Sequence, residues 1–77
     1  MTLEAQIIAV LKENLGMTTE EVNLESRLIE DLGVDSLDRI MIQAALEDEF
    51  SITINDEDFA GLRTVDDIVK GIKDRLS

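Results

Sequence analysis

The stretch that decides the fold of this chain is SLDRIMIQAALEDEF, Ser36–Phe50, which begins three residues after a glycine. At about 100° per residue, its apolar side chains fall into two groups on nearly opposite sides of a helix. The first group is Ile42, Ala45, Leu46 and Phe50, and the second is Leu37, Ile40, Met41 and Ala44. The segment therefore predicts a helix with two apolar faces, and Asp35 or Ser36 is available as its N-cap.

The two faces predict different environments. We assign the first group, hereafter the inner face, to the protein core because Ile42, Leu46 and Phe50 are large. The second group, hereafter the outer face, is fringed by three acidic residues, Asp38, Glu47 and Asp48. Periodicity alone also allows both faces to be buried in a small bundle. We favour a recognition surface for the outer face, because an apolar patch with a charged rim is typical of one.

Three further helices are predicted outside this segment. The first has a stripe at helical spacing, Thr2 as its cap and Gly16 as its stop, and the stripe consists of Leu3, Ile7, Val10, Leu11 and Leu15. Between Asn55, which with Asp58 forms a cap signal, and Gly61 there is room for only a short helix. In the last helix, Thr64 and Asp67 form a capping box. Its stripe is Val65, Ile68, Ile72 and Leu76, and its basic residues Lys70, Lys73 and Arg75 complement the helix dipole.

The segment from Gly16 to Asp35 lacks a clear period, and we expect a long loop with one helical turn around residues 26–32. These elements predict an all-α fold, a small four-helix bundle with a long first loop and a short third helix. At this length the chain has room for one core only, so residues 1–77 are expected to form a single domain.

Composition excludes most catalytic and metal-binding classes. The 77 residues include 18 acids, 7 bases, no Cys and no His, so thiol nucleophiles, zinc thiolates and the usual general base are all missing. We therefore expect no enzyme, no catalytic residue and no metal site. The longest apolar run, 7–11, is too short to span a membrane, and no leader follows Met1, so we expect a cytoplasmic protein.

The net charge of −11 lies entirely between Glu20 and Asp58, where thirteen acids face only Arg27 and Arg39. A solvated face kept for solubility is the ordinary interpretation of such a run. A surface for basic partner proteins is the functional interpretation. Phosphate backbones would be repelled, so we expect no nucleic acid as a partner.

Ser36 lies at the predicted start of the central helix, where unpaired N–H groups and the macrodipole favour negative charge. The usual role of a serine there is capping. Its use as a nucleophile is disfavoured because the chain has no His to accept the proton. A serine modified by a phosphoester is the remaining functional interpretation.

The motif GVDSLD at 33–38, followed by the acidic LEDEF at 46–50, resembles the acyl carrier protein family, and the helix order along nearly the whole chain agrees with it. The resemblance implies that Ser36 carries 4′-phosphopantetheine from coenzyme A, with Asp35 and Leu37 beside it, and that the terminal thiol carries acyl groups as thioesters. It also implies that partner enzymes contact the start and one side of this helix, at Asp35, Leu37, Asp38, Ile40, Glu47 and Asp48. From the outer face we add Met41 and Ala44 to the expected partner-binding residues.

The implied partners are a phosphopantetheinyl transferase and enzymes that load, elongate or transfer acyl groups through basic docking patches. The implied pathway is fatty-acid, polyketide or another specialised acyl biosynthesis, and the implied state is a monomer. We also hypothesise that the acyl chain folds back among apolar residues of the last three helices, near Ile42, Leu46, Ile54, Phe59, Leu62 and Ile68.

Three residues depart from the family pattern: Met41 where many members have Glu, Asn55 where many have Pro, and Arg39 on a helix that usually has little positive charge. We expect these to narrow the set of partners. An aminoacyl or peptidyl carrier is one alternative. A calcium-binding EF-hand-like loop is another, because Asp56, Asp58, Gly61 and Asp67 match four of its positions, although Ala60 replaces an oxygen ligand.

Overall fold

The computed structural model describes residues 2–16 and 22–76, and it arranges them in four helices. These are α1 (Leu3–Leu15), α2 (Ser36–Phe50), α3 (Asp56–Ala60) and α4 (Val65–Leu76). Part of the predicted long loop, residues 17–21, lies outside the described residues, as do both chain ends. Within the described ranges the all-α prediction is confirmed, and the sole sheet-like pairing there is an isolated bridge between Arg27 and Thr64.

The ends of α1 are set by local capping, as the sequence predicts. Thr2 Oγ1 accepts the N–H of Ala5 at 3.2 Å, and Gly16 adopts a left-handed φ of 65°. Glycine adopts that conformation readily because it lacks a Cβ, and α1 therefore ends just before Gly16. Between these caps Ile7, Val10 and Leu11 are buried, which confirms the centre of the predicted stripe.

One hydrophobic core holds the helices together. α1 packs against both α2 and α4, and the largest fully buried side chains come from these three helices: Ile7, Leu11, Ile42, Leu46, Val65 and Ile68. The described part of the first loop adds Val22, Leu28 and Val34, and α3 adds Phe59. The burial of Ile42 and Leu46 confirms that the inner face of α2 points into the core.

The first loop is attached to the start of α4 by backbone hydrogen bonds. Val65 N–H donates to Ser26 O at 3.1 Å, Asp66 N–H donates to Leu24 O at 2.9 Å, and Leu28 N–H donates to the carbonyl of residue 63 at 2.8 Å. The predicted helical turn is present as a bond of 2.9 Å from Asp31 N–H to the carbonyl of residue 27. The loop is therefore an ordered part of the fold that leads into α2.

The capping box of α4 is confirmed. Asp67 N–H donates to Thr64 Oγ1 at 3.2 Å, and Asp67 Oδ2 accepts the N–H groups of Arg63 and Thr64 at 3.0 and 3.2 Å. Hydrogen bonds from these backbone groups, that of Arg63 foremost, hold the pKa of Asp67 below its ordinary value.

Two details of the predicted helix ends are wrong. Leu76, placed in the buried stripe of α4, is 51% exposed, because it lies one turn beyond Ile72, where the helix has passed the end of the core. Asn55 precedes α3 but makes no side-chain cap; its Nδ2 instead donates to Asp58 Oδ2 at 3.4 Å. The first turn of this short helix is closed by a backbone hydrogen bond instead, in which Phe59 N–H donates to Asn55 O at 3.0 Å.

Candidate functional site

Ser36 is the first residue of α2, and its side chain is exposed. The capping role belongs to Asp35: its Oδ1 accepts the N–H of Asp38 at 2.8 Å, and Asp38 Oδ2 accepts the N–H of Asp35 at 3.3 Å. This reciprocal box decides between the two caps that the sequence allows. The interpretation of Ser36 as an ordinary capping serine is therefore wrong, and its hydroxyl is not required to start the helix.

The position of Ser36 suits a phosphoester. α2 has 15 residues, so its aligned peptide dipoles give the N-terminal end a partial positive charge. The N–H groups of the first turn have no partners within a helix and point toward any anion bound there. The two nearby carboxylates, Asp35 and Asp38, are turned to each other's backbone N–H groups. An exposed hydroxyl at this end of a long helix thus fits a covalently attached phosphate.

The outer face of α2 is exposed, as predicted. Leu37 and Ile40 are each 65% exposed and Met41 is 44% exposed, while Ala44 is also at the surface. The inner face is at the same time occupied by α1 and the rest of the core. The alternative in which both faces are buried is therefore wrong. Leu37, Ile40 and Met41 lie within the first two turns after Ser36, so the apolar surface begins beside the serine.

The acidic rim of the outer face has members with different contacts. Asp48 is exposed, whereas Asp38 is held in the capping box. Glu47 Oε2 accepts the N–H of Ile54 at 2.8 Å and so ties the α2–α3 loop to α2. The structure brings all three onto α2, but Glu47 also supports the fold.

A cavity of about 250 Å³ lies between α3, α4 and the end of α2. Its apolar walls are formed by Leu46, Ile52, Ile54, Phe59, Leu62, Ile68 and Ile72. Five of the six residues expected around a folded-back chain line it. The sixth, Ile42, does not line it, and its side chain is buried in the core.

A second cavity, of about 30 Å³, lies at the end of the molecule where α2 begins. It is lined by Val34, which precedes Asp35 and Ser36, and by Arg39, the departure noted in the sequence. Phe59 and Leu62 line both cavities. These two side chains therefore lie between the two cavities, of which the smaller one is nearer the start of α2.

Sequence reasoning missed several residues at the larger cavity, and two of them, Gly71 and Arg75, differ in kind from its apolar walls. Gly71 left a signal, a glycine in the middle of a helix that otherwise has a regular apolar stripe. Arg75 was assigned only to the helix dipole. Its contacts, to the Thr53 carbonyl and the Asp58 carboxylate, join segments about twenty residues apart, and no local pattern could have revealed them.

The EF-hand-like alternative is wrong. Helix α3 begins at Asp56, where a calcium loop would have to bend around the ion, and Asp67 caps α4. Asp58 Oδ2 is bonded to Arg75 at 3.0 Å. In the part of the chain that the structure describes, no three acidic side chains gather as a metal site.

Comparisons with known proteins agree with this geometry. A family model described as "Phosphopantetheine attachment site" matches residues 5–72. The acyl carrier protein of Chlamydia trachomatis serovar D is 40% identical over 75 residues, which cover 97% of each chain. That of Rickettsia bellii is 39% identical over 75 residues, covering 97% of this chain and 87% of the relative.

A solved structure described as an acyl carrier protein from Mycobacterium tuberculosis has a TM-score of 0.90 and 30% identity, and the match covers 96% of this chain and 99% of that one.

Across the two described ranges, 2–16 and 22–76, no helix has the length and apolarity needed to cross a membrane.

Proposed function

This chain belongs to the acyl carrier protein family, and we propose that Ser36 is the residue that bears its 4′-phosphopantetheine. The protein is a carrier and not an enzyme: its covalently attached arm supplies a thiol on which acyl groups are held as thioesters. We propose Asp35 and Leu37 as the residues that border the attachment point, and residues 1–77 as a single carrier domain.

The observation that supports Ser36 most strongly is its free, exposed hydroxyl at the positive end of α2. The other described serines are poorer candidates. Ser26 is buried, and its Oγ accepts the N–H of Asn23 at 3.0 Å. Ser51 follows the C-terminal end of α2, where the partial negative charge of the helix disfavours a phosphate.

Attachment requires a proton acceptor, and the described residues beside Ser36 do not offer one. Ser36 Oγ would form a P–O bond to the pantetheine-linked phosphorus of coenzyme A, and adenosine 3′,5′-bisphosphate would leave with the bridging oxygen. We assign the hydroxyl proton to a base on the transferase. The chain has no His, and the neighbouring carboxylates Asp35 and Asp38 are used on backbone N–H groups.

The test of the attachment site is intact-protein mass after incubation with coenzyme A and a phosphopantetheinyl transferase. We expect the natural chain and Ser51→Ala to gain the mass of one arm and Ser36→Ala to gain none. Because Asp35 caps the helix, Ser36→Ala should keep the circular dichroism of the natural chain. A normally loaded Ser36→Ala protein would refute the proposal.

For the docking surface, we propose the outer face of α2 together with Asp35 and the acidic rim of Asp38, Glu47 and Asp48. Partners of matching chemistry present a basic patch with an apolar centre: the transferase, and enzymes that load, elongate or transfer acyl groups. Charge complementarity of this kind speeds encounter, while the complexes remain weak enough to dissociate.

We further propose that Met41 and Arg39 narrow the set of partners. We also propose that the chain acts as a cytoplasmic monomer, and that its pathway is fatty-acid or related acyl biosynthesis.

We also propose that the acyl chain is housed in the larger cavity. Its walls are apolar, and Phe59 and Leu62 separate it from the smaller cavity at the serine end. Each methylene group of the acyl chain that is buried there would stabilise the enclosed state by about 0.8 kcal/mol. Side-chain NMR shifts of Phe59, Leu62 and Ile68 should then change on acylation, while those of Val10 in α1 should not. Unchanged shifts at the three cavity residues would contradict this placement.

A further inference from the structure

Gly71 and Arg75 lie four residues apart on α4, on the same side of the helix, and both line the larger cavity. Glycine is less favourable than alanine inside a helix, so its presence calls for a structural reason. A Cβ built at position 71 would meet only Leu62 Cδ2, at 4.0 Å, which is ordinary contact. The missing side chain therefore leaves space in the cavity and relieves no clash.

Arg75 lies at the end of the cavity that is far from Ser36, because it bonds to Thr53, which follows the C-terminal end of α2, whereas Ser36 begins that helix. Its Nη1 donates to the Thr53 carbonyl at 2.8 Å, and its Nη2 donates to Asp58 Oδ2 at 3.0 Å. These bonds join α4 to the α2–α3 loop and to the first turn of α3. Together with Asp58 and Asp74, the guanidinium gives this end of an otherwise apolar cavity a charged lining.

The two ends of the cavity are thus chemically different. The end nearer Ser36 is lined by Phe59 and Leu62, which are apolar and shared with the smaller cavity. An acyl chain that arrives past them would run along the apolar walls toward Arg75. To extend further, its terminal methyl group would have to displace charge-assisted hydrogen bonds and leave polar groups without partners.

We infer that Gly71 and Arg75 set the length of acyl chain that this protein can enclose: Gly71 provides width along α4, and Arg75 closes the far end. The inference rests on the proposed attachment at Ser36 and on the proposed housing of the chain.

To test this, the protein is loaded with saturated acyl groups, from butanoyl to tetradecanoyl, by a phosphopantetheinyl transferase that acts on the matching acyl-coenzyme A compounds. Loading is checked by intact mass, and the melting temperature is measured for each chain length. For the natural protein we expect the melting temperature to rise with length and then level off once the cavity is full.

Variants at the two positions should move that plateau in opposite directions. We expect Gly71→Ala to reach it about one methylene group earlier and Gly71→Leu about four earlier, in line with the atoms added to the cavity. The Arg75→Ala protein should reach the plateau at longer acyl chains than the natural protein. Arg75→Lys keeps the positive charge but lacks the paired N–H donors of the guanidinium, so its plateau should lie between those two. Lys70→Ala is the matched control, because it removes an exposed 3.0 Å ion pair on the same helix away from the cavity.

A purely structural role for Gly71 predicts a different result. Alanine would then raise the melting temperature of the unloaded protein and of every acylated form equally, and an unmoved plateau would overturn the assignment. An unmoved plateau in both Arg75 variants would overturn the role of Arg75. A natural protein that loads fully but melts at the same temperature for all chain lengths would refute the housing of the chain and this inference, while failure to load would refute the attachment site.

Discussion

Glu47 shows how one side chain serves both the surface and the fold. It belongs to the acidic rim of the outer face, and its carboxylate also accepts the N–H of Ile54 at 2.8 Å. Asp48, the next residue, is exposed. Removal of the Glu47 carboxylate should therefore affect both surface charge and stability, whereas removal of the Asp48 carboxylate should affect the surface charge alone. Partner-binding measurements at Glu47 will combine lost charge with a disturbed α2–α3 loop.

We expect Glu47→Ala to lower the free energy of unfolding by about 1–2 kcal/mol, because the partly buried N–H of Ile54 loses a charged acceptor. Asp48→Ala, which removes the same charge from the surface, should change it by less than ~0.5 kcal/mol. Urea denaturation followed by circular dichroism measures both. Equal stability of the two variants would show that the Glu47 bond contributes nothing.

Ile40 is the residue that best separates docking from folding, since 65% of its surface is exposed on the outer face. We expect Ile40→Ala to weaken binding to the transferase by about tenfold, because a few well-buried side chains near the centre of an interface carry most of its binding energy, with little change in stability. Leu24→Ala, an exposed apolar residue in the first loop, is the control. Binding that weakens equally in both variants would argue against a docking surface on α2.

At the scale of the elements, most helix boundaries follow from side chains within one turn of the end. α1, α2 and α4 each begin at a side chain that caps the helix or at a reciprocal box, and α1 ends at a left-handed glycine. α3 is the exception, because its five residues are fixed by the segments around them. Isolated helices of such length are unstable in water, so tertiary packing has to supply what local capping does not.

The cap of α4 makes a specific pH prediction. Asp67 has a folded-state pKa below its unfolded value, so its carboxylate adds stability above about pH 4, and this contribution is lost as the pH falls through the folded pKa. We expect Asp67→Ala to cost about 1 kcal/mol near neutral pH. The difference in melting temperature between it and the natural chain should shrink below pH ~4. A difference that stays constant down to pH ~2.5 would contradict the assigned role of the carboxylate.

At the scale of the whole molecule, the net charge of −11 is not compensated by the ion pairs in the structure. Arg27 with Asp31, Lys70 with Asp66, and Arg75 with Asp58 are all largely exposed, and such pairs contribute little each. The acids between positions 20 and 58 therefore repel one another across the folded protein. In the proposed function, this repulsion accompanies a surface that attracts basic partners.

Screening should relieve that repulsion. We expect the melting temperature to rise as salt is raised from about 0.01 to 0.15 M, over which the Debye length falls from ~30 to ~8 Å. For a chain of this size, each kcal/mol gained corresponds to about 4–8 °C. A double variant, Asp48→Asn with Glu49→Gln, should show a smaller rise. A flat response of the natural chain would mean that its acids are too dispersed to matter.

What the sequence determined by itself is the local order: the helices of α1, α2 and α4, their caps, the two faces of α2 and the concentration of charge. These depend on residues within a few positions of one another, so their spacing in the chain is already their spacing in the helix. Thr2, Gly16 and the pair of Thr64 and Asp67 were predictable for this reason.

Only the tertiary structure decided which segments meet. It showed that Leu76 lies beyond the core, and that Ile42 is buried in the core without lining the cavity. It also brought Arg75 to Thr53 and Asp58. Contacts between distant segments depend on the packing of the whole core, because that packing sets which side chains become neighbours, and helical periodicity contains no information about it.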